Sequence, residues 1–435
     1  MASFRIIVTG FVVLILAGAC LLMLPFSSAD GNVTPFSDAL FTSVSASCVT
    51  GLVVKDTATH WSLFGQFVIL ILIQIGGMGV ITIGLTILKA TGRKISLRQK
   101  FMMQNTVSAP SLGGIMHLTG FIIKTSLIIE AAGAVLLAFY FCGEFGFFKG
   151  IWYSVFHSVS AFCNAGFDLM GVKGGFSSLT SLSDITLVNV VIMLLIIIGG
   201  IGFLTWNDIK TYGIKIRKYS LQSRIILFVS AFLIIVPAVI FFFGEFSGLA
   251  LKQRLLGSLF QSVTTRTAGF NTVDLTSMTE PGKLIMIVLM LVGGSPGSTA
   301  GGMKTTTLAV LVLAAAAVFG RRRDVTGMKR RISDSVVRNA GAVLFVYLFL
   351  FSVAALAISR IEHLPLLDCM FETGSAIGTV GLTLGITTSL SLLSRIILMF
   401  LMFFGRVGAL TLIYAAVPSE DEDGAKLPLE NINVG

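Results

Sequence analysis

The sequence predicts an all-α polytopic membrane protein with eight transmembrane helices, and three observations lead there. Of its 435 residues 55% are apolar and only 12% charged, whereas a soluble domain carries about a quarter charged. Long apolar stretches recur over the whole length. Between them lie four shorter, half-polar segments that share one pattern. A net charge of +10 raises the possibility of nucleic-acid binding. The basic residues, however, sit in short clusters just after apolar runs, where membrane topology would put them.

Stretches able to cross hydrocarbon lie near 5–25, 63–90, 116–142, 184–206, 222–244, 282–318, 335–358 and 390–417, about 20 apolar residues sufficing. The first begins at Arg5, and Ala17-Gly18-Ala19-Cys20 approaches a lipoprotein cleavage box. Its apolar run exceeds a signal-peptide core of about 7–15 residues, so it is read as a retained helix. The five cysteines and four histidines are scattered without metal-ligand spacing, which argues against a zinc or iron centre.

The half-polar segments run from Phe41 to Gly51-Leu52, Phe156 to Gly166-Phe167, Phe260 to Gly269-Phe270 and Phe371 to Gly381-Leu382. Each opens with Phe, passes through small and hydroxylated residues, and closes on Gly followed by Leu or Phe. The third is one residue shorter. Four such segments about 103 to 115 residues apart are an internal repeat. They divide the chain into repeats at 1–100, 101–220, 221–331 and 332–418, with a tail at 419–435 that holds Glu420 to Asp423. Basic clusters at Lys89–Lys100, Lys210–Arg224 and Arg321–Arg338 follow the second, fourth and sixth spans. By the positive-inside rule both termini are cytoplasmic and the glycine segments face outward.

A polar segment that enters a membrane without crossing it must bury its backbone in protein or line water. A short helix returning as an extended strand meets that need. Four around an axis would offer rings of carbonyls that replace a cation's hydration shell. Here the chain resembles the Trk/Ktr/HKT superfamily of potassium transporters over nearly its whole length, most of all the Ktr-type membrane subunit. The resemblance implies four helix–pore-loop–helix repeats around a central pore. It implies a potassium filter lined by backbone carbonyls of Val49, Thr50 and Gly51, of Asn164, Ala165 and Gly166, of Thr267, Ala268 and Gly269, and of Thr379, Val380 and Gly381. All four glycines are present; plant relatives that pass sodium carry serine in the first repeat.

The second helix of each repeat carries clustered glycines: Ile75 to Gly79, Ile198 to Gly202, Val292 to Gly297 and Phe404 to Gly408. Small residues let helices approach closely in lipid. The third cluster extends through Gly293, Gly294, Ser295, Pro296, Gly297, Ser298, Thr299, Ala300, Gly301, Gly302, Met303 and Lys304. Five glycines and a proline cannot sustain a helix, and broken backbone at membrane depth is tolerated where it lines a cavity. The resemblance implies that this loop is the gate below the filter. Its likeness to a phosphate-binding loop fails, because one residue too many separates glycine from lysine and a membrane helix precedes it.

Arg406 lies inside the eighth span, where an unpaired charge costs about 3 kcal/mol or more. It either snorkels to the interface or faces the water-filled path beside the gate, and the resemblance implies the second. Lys304 is read similarly. Asp56, Asp168 and Asp274 follow three filter glycines and either concentrate cations at the mouth or are solvated loop residues. The basic loop 321–331 would meet anionic lipid or a cytoplasmic partner. The resemblance further implies a homodimer and a cytosolic nucleotide-binding regulatory ring. The expected function is potassium uptake across the cytoplasmic membrane, with K+ as transported ion, no organic cofactor and no enzymatic step. Rival readings are a Na+- or H+-coupled symporter, for which Glu130 is the one candidate carboxylate within the spans, and an ion-binding subunit of an ATP-driven pump.

Overall fold

A computed structural model describes residues 2–80, 82 and 115–416. The basic cluster Lys89–Lys100 and the tail 419–435 lie outside the described residues. Among the described residues the chain is almost wholly helical. The strands are two residues each, β1 (Thr326–Gly327) antiparallel to β2 (Arg330–Arg331).

Each of the four units begins with a long helix, α1 (Ala2–Leu22), α4 (Ile115–Phe145), α8 (Leu221–Phe243) and α12 (Asp334–Glu362). These four are long and apolar enough to cross a bilayer unbroken. Their outer faces are bare of protein: Val13, Phe139, Phe228 and Phe345 are all more than half exposed. A soluble protein would not leave such surface in water.

Each unit then holds a short helix, α2 (Phe36–Ser47), α5 (Phe147–Cys163), α9 (Leu251–Thr264) and α13 (Leu366–Gly378). The opening phenylalanines Phe41, Phe156, Phe260 and Phe371 are fully buried. Lipid is as apolar as they are, so hydrophobicity alone would not draw them inside. The hydroxyls on these helices need partners that lipid lacks. Ser43 Oγ donates to Ile15 O, Ser158 Oγ to Glu130 O and Ser262 Oγ to Ile234 O, each at 2.6 Å, tying short helix to long in three units. In the fourth, Thr373 turns back on its own helix to Cys369 O at 2.8 Å.

Outside the third unit the second helices differ from the continuous spans expected. The first, α3, covers Leu63–Met78, and its C-cap Gly79 has φ 88°. Helices α6 (Thr186–Gly200) and α7 (Phe203–Tyr212) meet at 96° around Gly202, φ 92°. In the third unit α10 (Glu280–Leu291) and α11 (Thr305–Phe319) are separated by the loop that the glycines and proline predict. In the fourth, α14 (Leu392–Val407) and α15 (Ala409–Ala416) break at Gly408, φ 91°. Left-handed backbone ends a helix, and glycine takes it without a Cβ penalty. In units one, two and four the last glycine of the cluster is therefore the break, and the earlier ones serve packing. A methyl group at Gly76 would strike Ser47 O, at Gly199 Phe162 O, and at Gly405 Ile377 O. Each is the carbonyl at or one residue before the end of that unit's short helix.

Candidate ion pathway

Each short helix ends in a segment whose backbone alternates in hand. Val49, Asn164, Thr267 and Thr379 have φ of 58°, 60°, 71° and 51°, and two residues later Gly51, Gly166, Gly269 and Gly381 have 94°, 70°, 83° and 94°. Alternating hand gathers successive amides on one side of the chain and carbonyls on the other. Left-handed backbone costs a β-branched residue about 1–3 kcal/mol, so something must hold Val49, Thr267 and Thr379 there. Part of it is hydrogen bonding back to the helix: Thr50 N to Ser45 O, Ala165 N to Ser160 O and Val380 N to Ser375 O, each 2.8 Å. In the third unit Ala268 N reaches Thr264 O at 2.9 Å, closing over four residues instead of five. That is the one-residue deletion seen in the sequence, absorbed inside the cap.

Serine and threonine hydroxyls secure the glycine end in two ways. Gly51 N donates to Ser45 Oγ and Gly381 N to Ser375 Oγ at 3.0 Å. Ser160 Oγ and Thr264 Oγ1 instead donate to Phe167 O and Phe270 O at 2.6 Å. Asn164 joins units two and three: with its amide turned to donate to Ala161 O and Ile196 O at 3.2 Å, its oxygen accepts from Thr267 Oγ1 at 3.1 Å.

The four segments form a closed ring. A methyl group on Gly51 would meet the carbonyl of Ala165, on Gly166 that of Ala268, on Gly269 that of Val380, and on Gly381 that of Thr50. All twelve residues from the sequence are thus brought together, in cyclic order one-two-three-four, and no side chain fits where the glycines stand.

Cavities lie on both sides of the ring. On the glycine side, Gly51, Gly166, Gly269 and Gly381 line a space of about 240 Å³ together with Asp56, Asp168 and Asp274. Asp56 Oδ1 accepts from Ala58 N and Thr59 N at 3.0 Å, and Oδ2 from Phe176 N at 2.9 Å. Asp168 Oδ1 accepts from Met170 N at 2.8 Å. Burial pushes the Asp168 carboxyl up to about 7, the charge of Asp56 adding to the rise against the Met170 bond. Asp274 is exposed and bonds within its own turn.

Below the ring lies loop 293–304, which takes part in lining a second cavity of about 320 Å³ with Gly77, Met78, Gly79, Lys304 and Arg406. The loop is tied down on all sides. Gly293 N reaches Met303 O at 2.7 Å, Thr305 N reaches Gly294 O at 3.1 Å, and Gly302 N reaches Gly405 O at 3.1 Å. The bend between α6 and α7 receives it: Ser295 N donates to Gly200 O at 3.0 Å and Phe203 N to Gly297 O at 2.6 Å. Thr299 Oγ1 caps Phe162 O at 3.0 Å, and Lys304 Nζ donates to Ala300 O at 2.8 Å. Gly301 sits against the side chain of Thr379, directly under the ring.

Arg406 does not snorkel. Its guanidinium donates to Thr299 O in the loop and to Gly76 O, and to Gly77 O at 2.9 Å. The sequence reading missed the receiving glycines; their repetition in all second helices was the available signal. It also missed Glu372, a fully buried carboxylate on α13, because that residue belongs to a half-polar segment rather than a span. Glu130, the candidate carboxylate of the symporter reading, is buried, with Gln74 Nε2 at 3.0 Å from both oxygens.

The sequence model of the TrkH family, described as a cation transport protein, matches residues 1–423. The potassium/sodium uptake protein NtpJ of Enterococcus hirae is 40% identical, over 99% of this chain and 97% of its own. The Ktr system potassium uptake protein B of Bacillus subtilis is 36% identical, over 96% of this chain and 94% of its own. The potassium transporter TrkH from Vibrio parahaemolyticus superposes with a TM-score of 0.73 at 23% identity, over 95% of this chain and 84% of that one. That structure shares the fold, and with a family match over almost the full length the chain belongs to the TrkH family of cation transport proteins.

Proposed function

We propose that the chain is the pore subunit of a potassium uptake system, passing K+ down its electrochemical gradient through the ring of four glycine segments. The observation that carries this reading is the closed ring between two cavities, with a tethered loop beneath it. In this reading Val49–Gly51, Asn164–Gly166, Thr267–Gly269 and Thr379–Gly381 present carbonyls that replace the hydration shell of K+. The C-termini of the four short helices lead into the ring, and each carries about half a negative charge that favours a cation there. The buried hydroxyls of Thr50 and Thr379, which have no partner among the described residues, suit an ion still holding water. Asp56 and Asp168 raise the cation concentration at the mouth.

Loop 293–304 is the gate, held shut by Arg406, whose fixed charge also repels cations. The four broken second helices count with the four long ones as eight spans. Both termini then lie in the cytoplasm, in a cell membrane protein. The chain works as a homodimer with a cytosolic nucleotide-binding ring, a partnership consistent with its likeness to the Ktr subunits. It binds K+ as cargo, uses no organic cofactor and performs no covalent step.

Cation flux into proteoliposomes tests this, with K+ or Na+ gradients imposed in turn on the wild type and on a deletion within 296–301. Voltage-following K+ flux that rises in the deletion supports the reading, and absence of flux even with cytosolic partners overturns it. A second reading, Na+-coupled uptake, is favoured by buried Glu130 and by the sodium in the name of the NtpJ relative. Flux that requires a Na+ gradient and is lost in Glu130→Gln would select it.

A further inference from the structure

The residue after the leading phenylalanine of each short helix is polar in all four units: Thr42, His157, Gln261 and Glu372, each wholly buried. In units two and four it staples the chain returning from the ring. His157 Nε2 accepts from Leu169 N at 3.3 Å, twelve residues on, while Nδ1 donates to Tyr153 O at 2.7 Å. Glu372 Oε1 accepts from Leu384 N at 3.1 Å, again twelve residues on, and from the Thr383 hydroxyl; Oε2 accepts from Thr387 Oγ1 at 2.7 Å. The other two units lack the staple. Thr42 turns to Asp38 O at 2.9 Å. In the shortened third unit both amide atoms of Gln261, and the hydroxyl of Thr272, have no partner among the described residues. The two stapled units stand opposite one another across the ring.

Glu372 holds the larger staple. Every contact it makes is an acceptance from a donor, the set an acceptor-only carboxylate requires. Its partners Thr383, Leu384 and Thr387 line the glycine-side cavity beside Gly381, and Thr383 is two residues from that glycine. Gly381 in turn abuts Thr50 and Gly51 of the first unit, where a unit with no staple of its own meets the fourth. We infer that Glu372 is a positioning residue for ion discrimination: by clamping Thr383, Leu384 and Thr387 to α13 it fixes where the fourth segment stands in the ring. The inference rests on the K+ pathway proposed above and adds a residue that does not touch the ion. Discrimination between K+ and Na+ needs carbonyls held at fixed spacing, and a staple that begins two residues beyond the glycine is a means of holding them.

The test compares Glu372→Ala with Glu372→Gln in the full-length protein. A glutamine oxygen can accept from Leu384 N and Thr383, and its amide can donate to Thr387, so the staple survives without the charge. Two readouts are taken: the K+/Na+ permeability ratio from reversal potentials in proteoliposomes, and the K+-specific rise in unfolding temperature in detergent. Expected for Glu372→Ala is a fall in the ratio of about tenfold or more, with the K+-specific stabilisation lost. Glu372→Gln should keep both close to wild type. The milder Thr387→Val, which removes one hydroxyl, should fall between them. The proposal is overturned if Glu372→Ala keeps the wild-type ratio and stabilisation, or if Glu372→Gln loses as much as Glu372→Ala. Wild-type protein that is stabilised by K+ yet passes no current would count against the transport reading, and the stabilisation readout would then decide the role of Glu372.

Discussion

Arg406 on α14 donates a hydrogen bond to the main-chain oxygen of Thr299, 107 residues away in the loop beneath the ring. The same guanidinium reaches Gly76 and Gly77 of the first unit. One side chain therefore fastens the loop to two other units, and the first prediction follows from removing it.

Arg406→Ala frees Thr299 O and leaves the loop without its tether. A hydrogen bond from a charged donor is worth about 1.5–3 kcal/mol, and about 1.4 kcal/mol is tenfold in a population. K+ flux at fixed voltage is expected to rise about tenfold in proteoliposomes of the variant. Unchanged flux would mean that the loop does not limit conduction.

At Gly269 a serine Cβ would enter the carbonyl of Val380 with φ at 83°. Either the third segment rotates or the fourth withdraws, and both alter the ring. Gly269→Ser should lower the K+/Na+ permeability ratio by about tenfold or more, read from reversal potentials, while total cation flux persists.

Acidity outside should reduce uptake at limiting K+. The Asp168 carboxyl is pushed up to about 7 by burial, reinforced by the charge of Asp56. It is charged above that value and neutral below, so lowering external pH from about 8 to about 6 removes one negative charge from the mouth. Uptake should fall severalfold, and in Asp168→Asn it should be low and flat across this range. The stability sign is opposite to that of a paired carboxylate. The folded value lies above the unfolded one of about 3.9. Asp168 therefore costs stability progressively as pH rises from about 4 to about 7, a cost that Asp168→Asn removes.

Two glycines on helices should respond in opposite ways to the same change. In Gly76→Ala the methyl group strikes Ser47 O, forcing α3 away from α2. In Gly120→Ala, on α4, it meets nothing within 4 Å among the described residues. The first should lower the unfolding temperature in detergent by several degrees, an overpacking cost of about 1–3 kcal/mol. The second should raise it slightly, since alanine is favoured over glycine in a helix by about 0.5–1 kcal/mol.

Much of the candidate site is legible because backbone function constrains side chains by exclusion. A ring that admits no Cβ must be glycine at four matched places, and Gly51, Gly166, Gly269 and Gly381 stand out for that reason. The missing residue before Gly269 was visible too, and it reappears as a cap closed over four residues at Ala268. Residues 293–304 were legible as a break because their composition forbids a helix. The breaks at Gly79, Gly202 and Gly408 were not, since clustered glycines suit close packing as well, and in these helices they do both. Glu372 was hidden because a carboxylate in a polar segment looks solvated until its three donors are found around it.

By itself the sequence determined the class of solvent, the four-fold repetition, the position of the break in the third repeat's second helix and the places where no side chain can stand. These depend on composition and local backbone, which neighbouring residues settle. Only the tertiary structure decided the cyclic order of the four segments, the landing of Arg406 on Thr299, Gly76 and Gly77, and the staple from Glu372 to the segment beyond Gly381. The first two join residues across units through carbonyls that every residue carries, and the third reaches a main-chain amide and two hydroxyls 11 to 15 residues further on, so no side-chain pattern in the sequence could mark which partner would be met.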